Sequence, residues 1–258
     1  MSAAALPASG DDARMSLLEH LAELRNRLIK VAVAVAAGMV AGFLLYDQIF
    51  DLLIDPYVQA AGDNSISDGR LLAIDPLEGF AVRMKLSAYV GIFLAMPVIL
   101  WQLWRFVTPG LYAHEKRYAV PFLVSALTLF TLGASLAYFT LPQALTFLQD
   151  IGGDNIATAY APGKYFTLVT YMMLAFGVGF EFPIVLVFLQ LVGIISPDDL
   201  RHVRRYAIVG ITLVVAVITP SGDPISMMML SVPMIIFYEV AILIGAVMER
   251  RRARKSPA

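Results

Sequence analysis

No cysteine occurs among the 258 residues, which excludes a disulfide framework, thiolate chemistry and any cysteine-based metal site. Histidine is scarce, and His20, His114 and His202 lie far apart in polar segments, so no histidine metal cluster is expected. Charged residues make up only 15% of the chain, and the net charge of −1 hides how they are segregated. There is no phosphate-cradling glycine loop, no Ser–His arrangement and no His-Glu-x-x-His pair. Cofactors, metals, nucleic acid and enzymatic activity are therefore not expected. Residues 1–14 are not followed directly by an apolar core, so they do not read as a signal peptide; residues 1–15 are expected to be a disordered tail.

What the chain does have is apolar length. It is 59% hydrophobic, with a mean hydropathy of +0.74, which places it in the membrane class. Hydropathy predicts an all-α protein with six membrane segments at about 29–46, 80–104, 120–141, 165–192, 206–219 and 225–247. The fifth is short: 14 residues span only about 21 Å, against a hydrocarbon core of about 30 Å. The sixth carries Pro233 and Glu239 and is expected to bend.

Basic residues set the orientation. Fifteen of the 19 fall in the N-terminal segment, the loops 105–117 and 201–205, and a tail at 249–258. The positive-inside rule then puts both termini in the cytoplasm. Arg83 and Lys85 sit awkwardly in the first turns of the second segment. Either they snorkel to the outer interface, or residues 47–79 form a structured outer cap shaped by breaks at Asp55-Pro56 and Asp75-Pro76.

Four acids stand out. Glu181 is the only side chain charged at neutral pH between Tyr165 and Val192, in the run Phe176-Gly177-Val178-Gly179-Phe180-Glu181-Phe182-Pro183. A charge at bilayer depth costs about 2.5–3.5 kcal/mol on insertion scales, so such residues face protein or a wet cavity. Pro183 cannot donate a backbone hydrogen bond and frees a carbonyl near Gly179. Glu23 lies on an amphipathic helix at 16–28, opened by a capping box at Ser16-Leu17-Leu18-Glu19, with Leu17, Leu21, Leu24 and Leu28 on one face. The bland role for that helix is an anchor with an internal Glu23–Arg27 pair. Glu115 is the lone acid of a basic loop. It either pairs with Lys116 or Arg117, or joins Glu23 in binding a cationic partner. Glu239 is read as a structural acid bonded to a neighbouring helix.

The motifs around these residues resemble those of TatC, the multispanning receptor family of the bacterial twin-arginine protein translocase. They are His20-Leu21-Ala22-Glu23-Leu24-Arg25-Asn26-Arg27-Leu28; Phe106-Val107-Thr108-Pro109-Gly110-Leu111-Tyr112 with His114-Glu115-Lys116-Arg117; the Glu181 run; Gly193-Ile194-Ile195-Ser196-Pro197-Asp198-Asp199-Leu200-Arg201; and Ile218-Thr219-Pro220 with Asp223. The resemblance implies six transmembrane helices in a concave, glove-like arrangement, the last two short. It implies that Glu23 and Glu115 bind the paired arginines of a signal peptide, with Arg25 and Phe106 shaping that site. Glu181 would be the intramembrane polar site. Asp223, Glu239 and Pro56 would serve partner docking or structure, although Asp223 is displaced by about a residue because Pro220-Ser221-Gly222 stands where many relatives have Pro-Pro. The implied partners are TatA- and TatB-like single-span proteins, twin-arginine signal peptides of folded precursors, membrane lipids and further copies of the chain. The implied location is the bacterial inner membrane, and the implied driver the proton-motive force. A rival reading is a proton-coupled solute transporter using Glu181 and Glu239, though no internal repeat supports it.

Overall fold

A computed structural model describes residues 17–61, 71–73, 75–107, 119–152, 160–219 and 222–255. The predicted tail, Ser16 of the capping box, Glu115 with its flanking motif, and Pro220 lie outside them. All regular structure among the described residues is helical: α1 (Leu17–Leu44), α2 (Tyr46–Ala61), α3 (Glu78–Val107), α4 (Ala119–Gly152), α5 (Pro162–Gly179), α6 (Phe182–Val192), α7 (Pro197–Ile218) and α8 (Pro224–Lys255). Among the described residues, five stretches are long and apolar enough to cross a bilayer, one of them formed jointly by α5 and α6.

The fifth predicted segment, 206–219, is the apolar second half of α7, and the sixth, 225–247, lies within α8. Helix α7 starts nine residues earlier than its apolar stretch, because Ser196 caps it: the Ser196 hydroxyl accepts from Asp199 N at 3.0 Å while Asp199 accepts from Ser196 N at 2.9 Å. Asp198, Asp199, Arg201, Arg204 and Arg205 therefore ride on a helix that looked short. Nor is α8 short as a helix. Its 32 residues reach about 48 Å, because Lys and Arg are good helix formers and carry it past the apolar run.

Helix α1 leans mainly on α3. Gly38 and Gly42 on α1 face Gly91 and Ser87 on α3, both pairs four residues apart. A Cβ at Gly91 would lie 2.8 Å from Val35 O and Met39 N, so only glycine permits this approach. Lipid tails are as apolar as leucine, so close backbone packing is what draws such helices together.

Helix α5 is held by bulk instead. Tyr165, Val169, Met172 and Phe176 recur at helical spacing and are at most 1% exposed, against α4 and α3. At one end of this face Tyr165 donates to Leu53 O of α2 at 2.7 Å. Where Phe176 crosses α4, Gly133 keeps the backbones close.

Two expectations about the 47–79 segment resolve differently. Asp75-Pro76 is a turn: Asp75 Oδ1 accepts from Leu77 N at 2.7 Å just before α3. Asp55-Pro56 is not a break, because Pro56 is buried inside α2. The carbonyl it leaves unpaired, Leu52 O, accepts instead from the Tyr138 hydroxyl of α4 at 2.9 Å. Tertiary donors thus satisfy the backbone, and the helix runs on.

Arg83 and Lys85 are both engaged on helix ends. Arg83 donates to Phe43 O near the end of α1 at 3.2 Å and lies 4.4 Å over the Phe43 ring. Lys85 donates to Thr167 Oγ1 at 2.7 Å and Gly163 O at 3.3 Å, while Glu78 Oε1 accepts from Gly163 N at 2.9 Å. A carboxylate is thereby held at the start of α5, where the helix dipole favours it. Asp223 does the same for α8, accepting from Ser226 N at 2.6 Å in a fully buried position.

Candidate functional site

The first turns of α1 and the last turns of α3 meet at one end of the bundle. The glycine seam sets their register, and that register brings Arg27 to Gln102. Arg27 Nη1 donates to Gln102 Oε1 at 3.4 Å. Its Nε donates to Glu23 Oε1 at 3.1 Å, and its Nη2 closes an ion pair on the same oxygen. Glu23 Oε2 is buried and has no hydrogen-bond partner among the described residues. The internal Glu23–Arg27 pair offered by the sequence is present, because four residues of helix deliver Arg27 to Glu23 Oε1. An in-chain guanidinium sits on half of the carboxylate, and among the described residues the other half is left over.

Nearby residues complete this end. Arg25 is exposed beside the pair and Phe106 is half-buried in the last turn of α3. Trp104, Phe122 and Phe188 form an aromatic cluster joining α3, α4 and α6, with ring centroids 4.8, 5.4 and 6.0 Å apart. The segment carrying Glu115 follows directly from this end of α3 in the sequence and lies outside the described residues.

A second polar position interrupts the fourth membrane segment. Glu181 is the N-cap of α6, immediately after α5 ends. Phe180 and Glu181 keep right-handed backbone angles, and Glu181 N donates to Val178 O at 3.0 Å, so the chain tightens and bends rather than unwinding. Pro183, in the first turn of α6, supplies the bend. Phe180 is packed edge-on to Phe237 of α8 at 5.1 Å. Glu181 is half-buried, and its Oε1 is buried without a hydrogen-bond partner among the described residues. A buried carboxylate oxygen in this condition attracts any donor that enters.

Glu239 behaves differently. It forms an ion pair with Arg204, bridging α8 to α7, and about a third of its side chain is exposed. Just along the same interface Tyr238 donates to Leu200 O at 2.7 Å. Both residues fasten α7 to α8. Asp223 and Pro56 likewise have structural partners, as a helix cap and as the source of a carbonyl for Tyr138.

Sequence reasoning missed Gln102 and Arg204. Gln102 was visible as the one amide in the apolar run at the end of α3, which was a signal to seek its partner. Arg204 stands 35 positions from Glu239, and only the α7–α8 packing joins them.

Comparison with known proteins places this geometry. A family model described as Sec-independent protein translocase protein (TatC) matches residues 19–233. A relative in Frankia casuarinae, named Sec-independent protein translocase protein TatC, is 39% identical over 252 residues, covering 95% of this chain and 69% of its own. One of the same name in Aquifex aeolicus is 38% identical, covering 92% of this chain and 98% of its own. A solved structure described as the twin arginine translocase receptor TatC superposes with a TM-score of 0.73 at 37% identity, covering 89% of this chain and 99% of that one. With its helical spans, its motifs and these likenesses, the chain belongs to the TatC family.

Proposed function

We propose that this protein is the receptor and core subunit of a twin-arginine translocase in a bacterial inner membrane, with both termini in the cytoplasm. The observation that carries this reading is the state of Glu23: its carboxylate already accepts the fork of a guanidinium and keeps one buried oxygen without a partner among the described residues. Arginine pairs with carboxylate in this two-pronged manner, and lysine, as a point charge, does not. Glu23 and Glu115 capture the two arginines of a signal peptide, and Arg25 and Phe106 shape the site around them. The apolar part of the signal then enters the membrane beside Glu181, whose free oxygen can meet a polar group of a passing helix or hold water.

Single-span TatA- and TatB-like partners dock near α7 and α8, and further copies of the chain join the receptor complex. The lipid-facing side of α7 supports this: Tyr206, Val209, Leu213 and Val217 are exposed along one stripe, with open space at Gly210. Transport draws on the proton-motive force. The family and the pairing of Glu239 both weigh against the solute-transporter reading, which needs two acids free to carry protons. The test is charge reversal in the full chain. Glu23→Lys and Glu115→Lys should each abolish site-specific crosslinking of a twin-arginine peptide while the protein remains inserted. Normal crosslinking in both variants overturns the assignment.

A further inference from the structure

We infer that Arg27, held in place by Gln102, is a built-in competitor that sets the affinity of Glu23 for incoming cations. The inference rests on the receptor reading of Glu23 given above and adds how that site is regulated.

Arg27 is the same chemical object as the proposed ligand. Its Nε and Nη2 both address Glu23 Oε1, and its Nη1 reaches Gln102 Oε1 on the neighbouring helix at 3.4 Å. The Arg27 side chain is only 15% exposed, so it is seated rather than waving in solvent. Glu23 Oε2 meanwhile has no partner among the described residues although it is buried. An incoming guanidinium that seeks both oxygens must move Arg27 off Oε1, and Arg27 resists with the strength of its own pair.

Competition of this kind lowers the apparent affinity of every ligand by one common factor, the inverse of the fraction of time the carboxylate is free. It leaves the ratio between strong and weak ligands unchanged. What it changes is which of them bind at working concentration: a strong two-pronged pair stays above the threshold and a single-pronged lysine pair falls below it. Partly exposed ion pairs contribute about 0.2–1 kcal/mol, so the factor is about two- to five-fold.

The experiment uses the full chain in detergent or nanodiscs at about 0.15 M salt, where long-range charge effects are screened beyond about 8 Å. Binding of a synthetic Arg-Arg signal peptide and its Lys-Lys counterpart is measured by fluorescence anisotropy. Arg27→Gln should tighten both peptides by the same factor, about two- to five-fold. Gln102→Leu, which leaves Arg27 in place but removes its second anchor, should tighten both by a smaller factor. Lys30→Gln makes the same charge change at an exposed position one turn away and should shift binding less than either.

If Glu23→Gln abolishes binding but Arg27→Gln weakens it or leaves it unchanged, Arg27 merely orients Glu23 and the inference falls while the receptor reading stands. Equal tightening by Lys30→Gln assigns the effect to net charge and also overturns it. Undiminished binding in Glu23→Gln removes the receptor reading and the inference with it.

Discussion

Helix α1 and the α5–α6 helix are similarly apolar, yet they are held by opposite means. Little of α1 is buried, against about a third of α5–α6. One is a peripheral helix fastened along a single glycine seam, with Leu24, Leu28, Val33 and Val40 facing outward. The other lies in the middle, and its large side chains fill the space between α3, α4 and α2. In lipid, hydrophobicity says that a helix is inside the membrane and nothing about where it sits among its neighbours. The size of the residues at the contact decides that.

The largest expected break in this contrast is at the centre. Phe176→Ala removes a fully buried ring beside the Gly133 crossing and should cost about 3 kcal/mol or more, read as a lowered Tm in detergent with aggregation of the whole protein. At the seam, Gly91→Val should cost about 1–3 kcal/mol, but selectively. Hydrogen exchange should rise along α1 while α5 stays protected; uniform loss of protection would mean that α1 is not peripheral. Tyr165→Phe leaves Leu53 O without its side-chain donor and should cost about 1 kcal/mol, seen as faster exchange in α2.

The smallest effect is outside both regions. Bonds from the Ser196 hydroxyl and backbone N–H hold the Asp199 carboxyl below the ordinary carboxylate range. Because the folded value is the lower one, this cap's contribution is complete above about pH 4, the value for a free aspartate, and is lost as pH falls through the depressed value. Acidification should fray only the first turn of α7, measured as amide protection at Leu200, and Asp199→Asn should fray it already at neutral pH.

Much of this was legible in the chain. Apolar runs located the spans because backbone in lipid must be helical or buried. Gly179, Glu181 and Pro183 announced the bend between α5 and α6, and helical spacing offered the Glu23–Arg27 pair. What could not be read depended on register between helices. Gln102 reaches Arg27 only because Gly38 meets Gly91, and Glu239 finds Arg204 only because α7 lies against α8. Pro56 looked like a break because nothing local shows that Tyr138 stands ready to bond Leu52 O. The length of α7 was misjudged because hydropathy marks where a helix enters lipid, whereas Ser196 marks where it starts.

The ring of Pro56 carries one more lesson. By removing a rung from its own ladder it creates a foothold, and a tyrosine from another helix has stepped onto it. Replacing that proline with alanine would restore the rung and evict the visitor, so a change that improves one helix in isolation would loosen its grip on the next. Residue 56 is thus answerable to two helices at once, and its tolerance to mutation should follow the tyrosine across the gap rather than its own neighbours in sequence.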